Sequence, residues 1–91
     1  MEHNRYFEDR VQSLGFSDAE GAATVGVIDP GEYAFGTTRM ERMTVVAGTL
    51  WYLVPGKPWL SAGAGEGFTV PAGVTFEVKA EAPVAYLCRY D

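Results

Sequence analysis

Gly65-Glu66-Gly67-Phe68-Thr69-Val70-Pro71-Ala72-Gly73-Val74-Thr75-Phe76 is the stretch that decides the fold. Gly67–Val70 reads as a short strand, Pro71-Ala72-Gly73 as a turn, and Thr75 as the start of the next strand. The turn has a physical basis. Pro71 fixes one φ angle, and Gly73 supplies a positive φ that residues with a Cβ resist.

The same punctuation continues outward in both directions. Gly15, Gly21, Asp29-Pro30-Gly31, Gly48, Pro55-Gly56, Gly63 to Gly67 and Pro83 divide the chain at short intervals. Between them lie runs rich in β-branched and aromatic residues, the pattern of short antiparallel strands. The expected strands are Ala22–Ile28, Gly31–Thr37, Glu41–Ala47, Thr49–Val54, Gly67–Val70, Thr75–Ala80 and Val84–Tyr90. That many short strands imply a sandwich or barrel. The opening segment stays open between an edge strand and a short helical turn, because Phe7, Val11 and Leu14 sit at helical spacing. Gly63 to Gly67 is read as a turn. It lacks the Lys-Ser/Thr of a phosphate loop and opens a strand where such loops open a helix.

Composition narrows the function classes. The 91 residues make one domain, 1–91, with a modest core, and 47% hydrophobic content is enough to favour packing over disorder. The net charge of -5 repels phosphate backbones and anionic membranes, so neither nucleic acid nor a membrane is an expected partner. A single cysteine, Cys88, excludes an intrachain disulfide, and self-association as a homodimer would help so small a domain. With no signal-peptide pattern in Met1 to Tyr6 and no long apolar run, the cytoplasm is the expected compartment.

The spacing in Gly65–Phe76 resembles the second motif of the cupin fold, which implies an all-β, single-domain cupin (RmlC-like) β-barrel or jelly roll. In that motif a metal-binding histidine opens the strand after the turn; here the position is Phe76. The first cupin motif carries His-x-His and a glutamate. Counting from Gly31 puts Thr37 and Arg39 in the histidine positions, and counting back from Gly48 puts Glu41 in the glutamate position, two registers that differ by two residues. Zinc or iron needs about three or four converging nitrogen, sulfur or carboxylate ligands. The only histidine is His3, near an N-terminus expected to be mobile, so no metal is expected.

Over nearly its full length the chain resembles the pyrimidine/purine nucleoside phosphorylase family of small metal-free cupins. The carriers are Tyr6-Phe7, Ser13-Leu14-Gly15-Phe16-Ser17, Thr24-Val25-Gly26-Val27, Gly31 to Thr37, Glu41 to Gly48, Phe68-Thr69-Val70-Pro71 and, most distinctively, Tyr86-Leu87-Cys88-Arg89-Tyr90. Thr38-Arg39-Met40 and the Pro55–Gly65 loop depart from the family pattern. The resemblance implies phosphorolysis: inorganic phosphate attacks C1′ of a purine or pyrimidine nucleoside, giving free base and ribose 1-phosphate, with no cofactor. A non-catalytic sugar- or metabolite-binding cupin is the alternative.

Such a reaction passes through a ribosyl cation-like state and needs a phosphate holder and polar groups on the ribose. Arg89 is the candidate phosphate holder, because guanidinium forms paired hydrogen bonds to phosphate and here interrupts an apolar strand. The role requires that Ala85, Leu87 and Arg89 face the interior, leaving Tyr86, Cys88 and Tyr90 on the other side. Glu41 is the candidate ribose ligand, as a double acceptor. Thr37 and Thr38 are candidates for phosphate or sugar, and Tyr33, Phe35 and Tyr86 for the substrate-binding wall. Trp51 is expected to be buried, Trp59 to form a lid or dimer contact, Met40 and Met43 to pack, and Cys88 to be a small buried hydrophobe.

Overall fold

The computed structural model describes residues 1–91, and every regular element in it is a strand. They are β1 (Glu2–Tyr6), β2 (Val11–Asp18), β3 (Gly21–Ile28), β4 (Gly31–Gly36), β5 (Glu41–Ala47), β6 (Leu50–Leu53), β7 (Leu60–Ala62), β8 (Gly67–Val70), β9 (Thr75–Ala80) and β10 (Val84–Tyr90). They form two antiparallel sheets, one ordered β1-β2-β3-β10-β5-β8 and the other β4-β9-β6-β7. This is a jelly roll of two facing sheets rather than a barrel with a continuous hydrogen-bonded wall. No helix is long and apolar enough to cross a membrane.

The four strands from Gly67–Val70, Thr75–Ala80, Val84–Tyr90 and Glu41–Ala47 fall where the sequence puts them. The N-terminal segment resolves as a hairpin: Tyr6 pairs with Val11 and Glu2 with Gly15, so the helical spacing of Phe7, Val11 and Leu14 does not produce a helix. Val11 is buried while Leu14 points outward, as strand alternation requires. His3 belongs to this hairpin, its Nε2 2.9 Å from Gln12 Oε1, and is not on a loose tail.

Alternation fills the space between the sheets. Val11, Ile28, Val45, Val70, Val84 and Cys88 from the larger sheet meet Leu50, Phe76 and Val78 from the smaller one in a single core. Tyr52 of β6 stacks on Phe68 of β8 at 3.7 Å between centroids, tying the two sheets together through flat aromatic contact. Met43 is buried as expected, but Met40 and Trp51 are exposed: Trp51 falls on the outward phase of β6, and Met40 lies in the connection before β5. Trp59 is partly exposed, its ring under the Lys79 ammonium at 4.4 Å.

The Pro71-Ala72-Gly73 turn is fastened by Thr37. Gly73 has φ +76°, its N–H donates to the Thr37 carbonyl, and the Thr37 hydroxyl donates to the Pro71 carbonyl at 2.7 Å. The Val74 N–H in turn donates to the Thr37 hydroxyl oxygen at 3.1 Å. Two close approaches also demand glycine. A Cβ on Gly26 would lie 2.6 Å from the Tyr86 hydroxyl, and one on Gly67 would collide with the Met43 carbonyl oxygen.

Candidate functional site

Between the sheets, and open to solvent at one end, lies a cavity of about 440 Å³, within the usual size of small-molecule sites. Its walls are apolar and aromatic: Ile28, Ala34, Phe35, Met43, Phe76, Val78 and, at the mouth, Tyr6 and Phe7. The polar groups converge from a few positions. Glu41 opens β5; Tyr86, Cys88 and Tyr90 share the inward face of β10; Ser13 comes from β2.

Glu41 is half-buried, and desolvation raises its carboxyl pKa above the ordinary 4.5, against a smaller opposing effect of the Cys88 thiol. That thiol donates to Glu41 Oε1 at 3.5 Å. Burial first, and then the nearby Glu41 charge, push the Cys88 thiol up to about 12, so it stays protonated and unreactive at neutral pH. Burial likewise raises the Tyr86 phenol to about 12 and raises the Tyr90 phenol, whose oxygen lies 3.0 Å from Thr24 Oγ1. Neutral hydroxyls and a carboxyl with a raised pKa therefore face the cavity.

The inward face of β10 is the one that carries Tyr86, Cys88 and Tyr90, which corrects the placement of Arg89. Arg89 lies on the opposite face, where it forms a two-pronged pair with Asp18 at 2.8 Å and a further contact with Glu20 at 3.1 Å. The hydrogen bonds from Arg89 lower the Asp18 carboxyl from 3.8 to about 2. Since the folded value is the lower one, this pair supports the fold above pH 3.8 and is lost as pH falls towards 2. Arg89 thus clamps the β2–β3 hairpin to β10 and does not reach the cavity.

Of the other expected site residues, Glu41, Phe35 and Tyr86 line the cavity. Tyr33 does not: it is buried, and its hydroxyl donates to the Asp29 and Pro30 carbonyls at 2.8 and 3.1 Å, holding the turn before β4. Thr37 is spent on the Pro71–Gly73 turn, and Thr38 is exposed outside the cavity. Sequence reasoning missed Tyr6, Phe7, Ser13 and Tyr90. The Tyr86-Cys88-Tyr90 phase held the available signal, because the residue between the tyrosines is a type that favours burial.

A metal does not fit this lining. Phe76 stands buried where the cupin motif carries histidine, and no three potential ligands converge. The lining also contains no lysine or arginine. Two cations reach main-chain oxygens of lining residues: Arg10, whose Nε donates to the Phe7 carbonyl at 3.2 Å, and Arg39. Arg39 sits in the short segment between Gly36 and Glu41, both lining residues, and donates to the main-chain oxygens of Tyr90 and Asp91 at 3.3 Å.

Comparison with known proteins places this geometry among relatives. The family described as pyrimidine/purine nucleoside phosphorylase matches residues 1–90. A pyrimidine/purine nucleoside phosphorylase of Anaeromyxobacter is 50% identical over 91 residues, covering 99% of this chain and 87% of the relative. One from Marinobacter nauticus is 48% identical, covering 96% and 95%. A Vibrio parahaemolyticus protein of unknown function, solved by crystallography, superposes with a TM-score of 0.95 at 43% identity, covering 99% of this chain and 97% of that one. The cupin domain of Schizosaccharomyces pombe Cnp3 superposes with a TM-score of 0.71 at 15% identity, covering 100% and 69%, a likeness of fold alone.

Proposed function

This chain belongs to the pyrimidine/purine nucleoside phosphorylase family, and we propose that it splits purine and pyrimidine nucleosides with inorganic phosphate, giving free base and ribose 1-phosphate. The observation that carries this reading is the near full-length match to relatives of that name, joined to a cavity of nucleoside size with a carboxyl of raised pKa in its wall.

In this reading the nucleoside lies in the cavity with its ribose towards Glu41 and Tyr90 and its base along the aromatic wall. A phosphate oxygen forms the bond to C1′ as the C1′–N bond breaks, and the bond's electron pair passes to the base nitrogen. Glu41 in its protonated form supplies the proton that neutralises the leaving base, and the desolvation that raises its pKa favours that form. Apolar walls exclude water that would compete with phosphate. Arg39, beside the lining residues Tyr90 and Glu41 but in a segment that departs from the family pattern, is this chain's own candidate for the phosphate-holding role that the position of Arg89 does not allow. No metal or organic cofactor enters the scheme.

The test is release of base from uridine, adenosine and guanosine after treatment with a chelator. Release that requires phosphate and forms ribose 1-phosphate supports the reading; binding of nucleosides without release would favour a metabolite-binding cupin.

We place the protein in the cytoplasm and pair two copies through the outer face of the larger sheet. There Leu14, Val25 and Leu87 stand directly opposite one another across three strands, beside Phe16, Val27 and Val46. Val25, Val27 and Val46 are about half-exposed, an apolar band of the kind that marks an interface. Val25→Glu is expected to convert a dimer into a monomer in light scattering while leaving the circular dichroism of the strands intact. A dimer that survives the substitution would move the interface elsewhere.

A further inference from the structure

The Tyr6–Arg10 connection between β1 and β2 carries backbone strain at the mouth of the cavity. Phe7, Glu8 and Asp9 have φ of +53°, +57° and +68°, and they are the only residues other than glycine with positive φ. Asp tolerates this region; Phe and Glu gain nothing from it locally, and strain of this kind persists only where surrounding contacts impose it.

Those contacts are of two kinds. The Arg10 main-chain N–H and Nε both donate to the Phe7 carbonyl at 3.2 Å, and Gln12 Nε2 donates to the Asp9 carbonyl at 3.0 Å. The Phe7 ring lies 5.1 Å from Tyr33 and 5.4 Å from Phe35, edge-on to the latter, with Tyr6 edge-on to Phe35 at 6.1 Å. The turn joins β1, an edge strand bonded only to β2, to β2 itself, and the Arg10 carbonyl accepts from the Asp29 N–H at 2.8 Å. Although they line the cavity, Tyr6 and Phe7 are 45% and 39% exposed. Each ring therefore has one side on the cavity and another in water.

We infer that the Tyr6–Asp9 turn is an aromatic flap that closes on the nucleobase, with Phe7 as the residue that stacks on it. A flat base held between Phe7 and Phe35 needs their rings about 7 Å apart, twice the contact distance between carbon atoms. With the two rings 5.4 Å apart and perpendicular, the slot between them is shut, so seating a base there requires the flap to swing outward and the Phe7 ring to turn parallel to Phe35. The strained turn supplies the hinge. Stacking is indifferent to which base is present, because every base has a π face, so a flap of this kind gives tolerance of purines and pyrimidines together. The inference rests on the nucleoside reading of the cavity and adds where the base sits and what moves.

The test separates the two. Binding of free adenine and free uracil is measured by calorimetry for the wild type, Phe7→Ala and Phe7→Leu, alongside Michaelis constants for adenosine and uridine. Leu keeps apolar packing on Tyr33 and Phe35 but has no π face, so it guards against a merely unfolded Ala variant. The expected result is weakening of both bases by about tenfold or more in both variants, as alanine substitution of stacking residues gives elsewhere, with matching rises in the Michaelis constants. Phe7→Trp is expected to restore binding. Unchanged base affinity in the Leu variant, loss of one base only, or no binding of either base by the wild type would overturn the flap. Phosphate-dependent release in the wild type with the flap overturned would leave the phosphorylase reading standing. Base binding lost in the variants without any phosphorolysis would do the reverse.

Discussion

Glu41→Gln is expected to slow phosphate-dependent base release by about a hundredfold, the lower range for loss of a positioned general acid, with the fold intact. The amide matches the carboxyl in shape and still accepts from the Cys88 thiol, now at the amide oxygen, but it has no proton to give. Desolvation is the leading reason that the Glu41 pKa is raised, so the folded state holds this proton more tightly than the unfolded chain does. The sign follows. As pH rises from the ordinary 4.5 through the raised folded value, ionised Glu41 loses stability in its apolar wall, and the rate falls over the same range because the acid is spent. The glutamine variant is expected to lose the stability decline in that window. Rates and denaturant midpoints, both recorded against pH, check the two effects together. A variant with full activity would remove Glu41 from the chemistry.

The second large effect concerns the architecture that holds Glu41 in place. Gly67→Ala is expected to destabilise the protein by about 3 kcal/mol, the upper end for forcing extra atoms into packed structure. Its new Cβ would meet the Met43 carbonyl oxygen, which belongs to the backbone and has no flexible end to yield. Gly67 pairs with Thr44, and Glu41 pairs with Val70 on the same two strands, so separating β5 from β8 shifts the cavity wall as well. Gly36→Ala is the control. Nothing lies within 4 Å of its added Cβ and its φ is not positive, so its stability is expected to change by less than about 0.5 kcal/mol, as open positions do. Equal denaturation curves for Gly67→Ala and the wild type would contradict the packing described between β5 and β8.

Much of the fold is legible in the sequence where two signals coincide. Glu41–Ala47, Gly67–Val70, Thr75–Ala80 and Val84–Tyr90 combine β-branched or aromatic runs with glycine or proline close to at least one end, and all four form strands over those residues. The N-terminal hairpin is not legible because its turn is Phe7-Glu8-Asp9, where Asp9 alone is a turn-favouring type and Phe7 and Glu8 adopt positive φ only under contacts made far along the chain. β7 is three residues long, too short to show a period.

The site divides in the same way. Alternation sorts β10 into two faces, but it does not say which is inside. That choice is made by Asp18 and Glu20, which stand on and just after β2 and hold Arg89 on the outer side. Glu41 is found from its place in the cupin pattern, whereas Thr37, found by the same pattern, serves the turn beside the site. A histidine position filled by another residue type thus need not retain any ligand role. Phe76 makes the point differently: it keeps the position and turns a metal ligand's place into aromatic wall.

The most direct test of the account is a crystal structure of the protein with a nucleoside and a phosphate mimic bound. The expected result places the ribose in the cavity with a hydroxyl or C1′ substituent within hydrogen-bond reach of Glu41, and the anion at the rim beside Arg39. Ligand bound instead on the outer face of the larger sheet, next to Arg89, with the cavity closed, would contradict it.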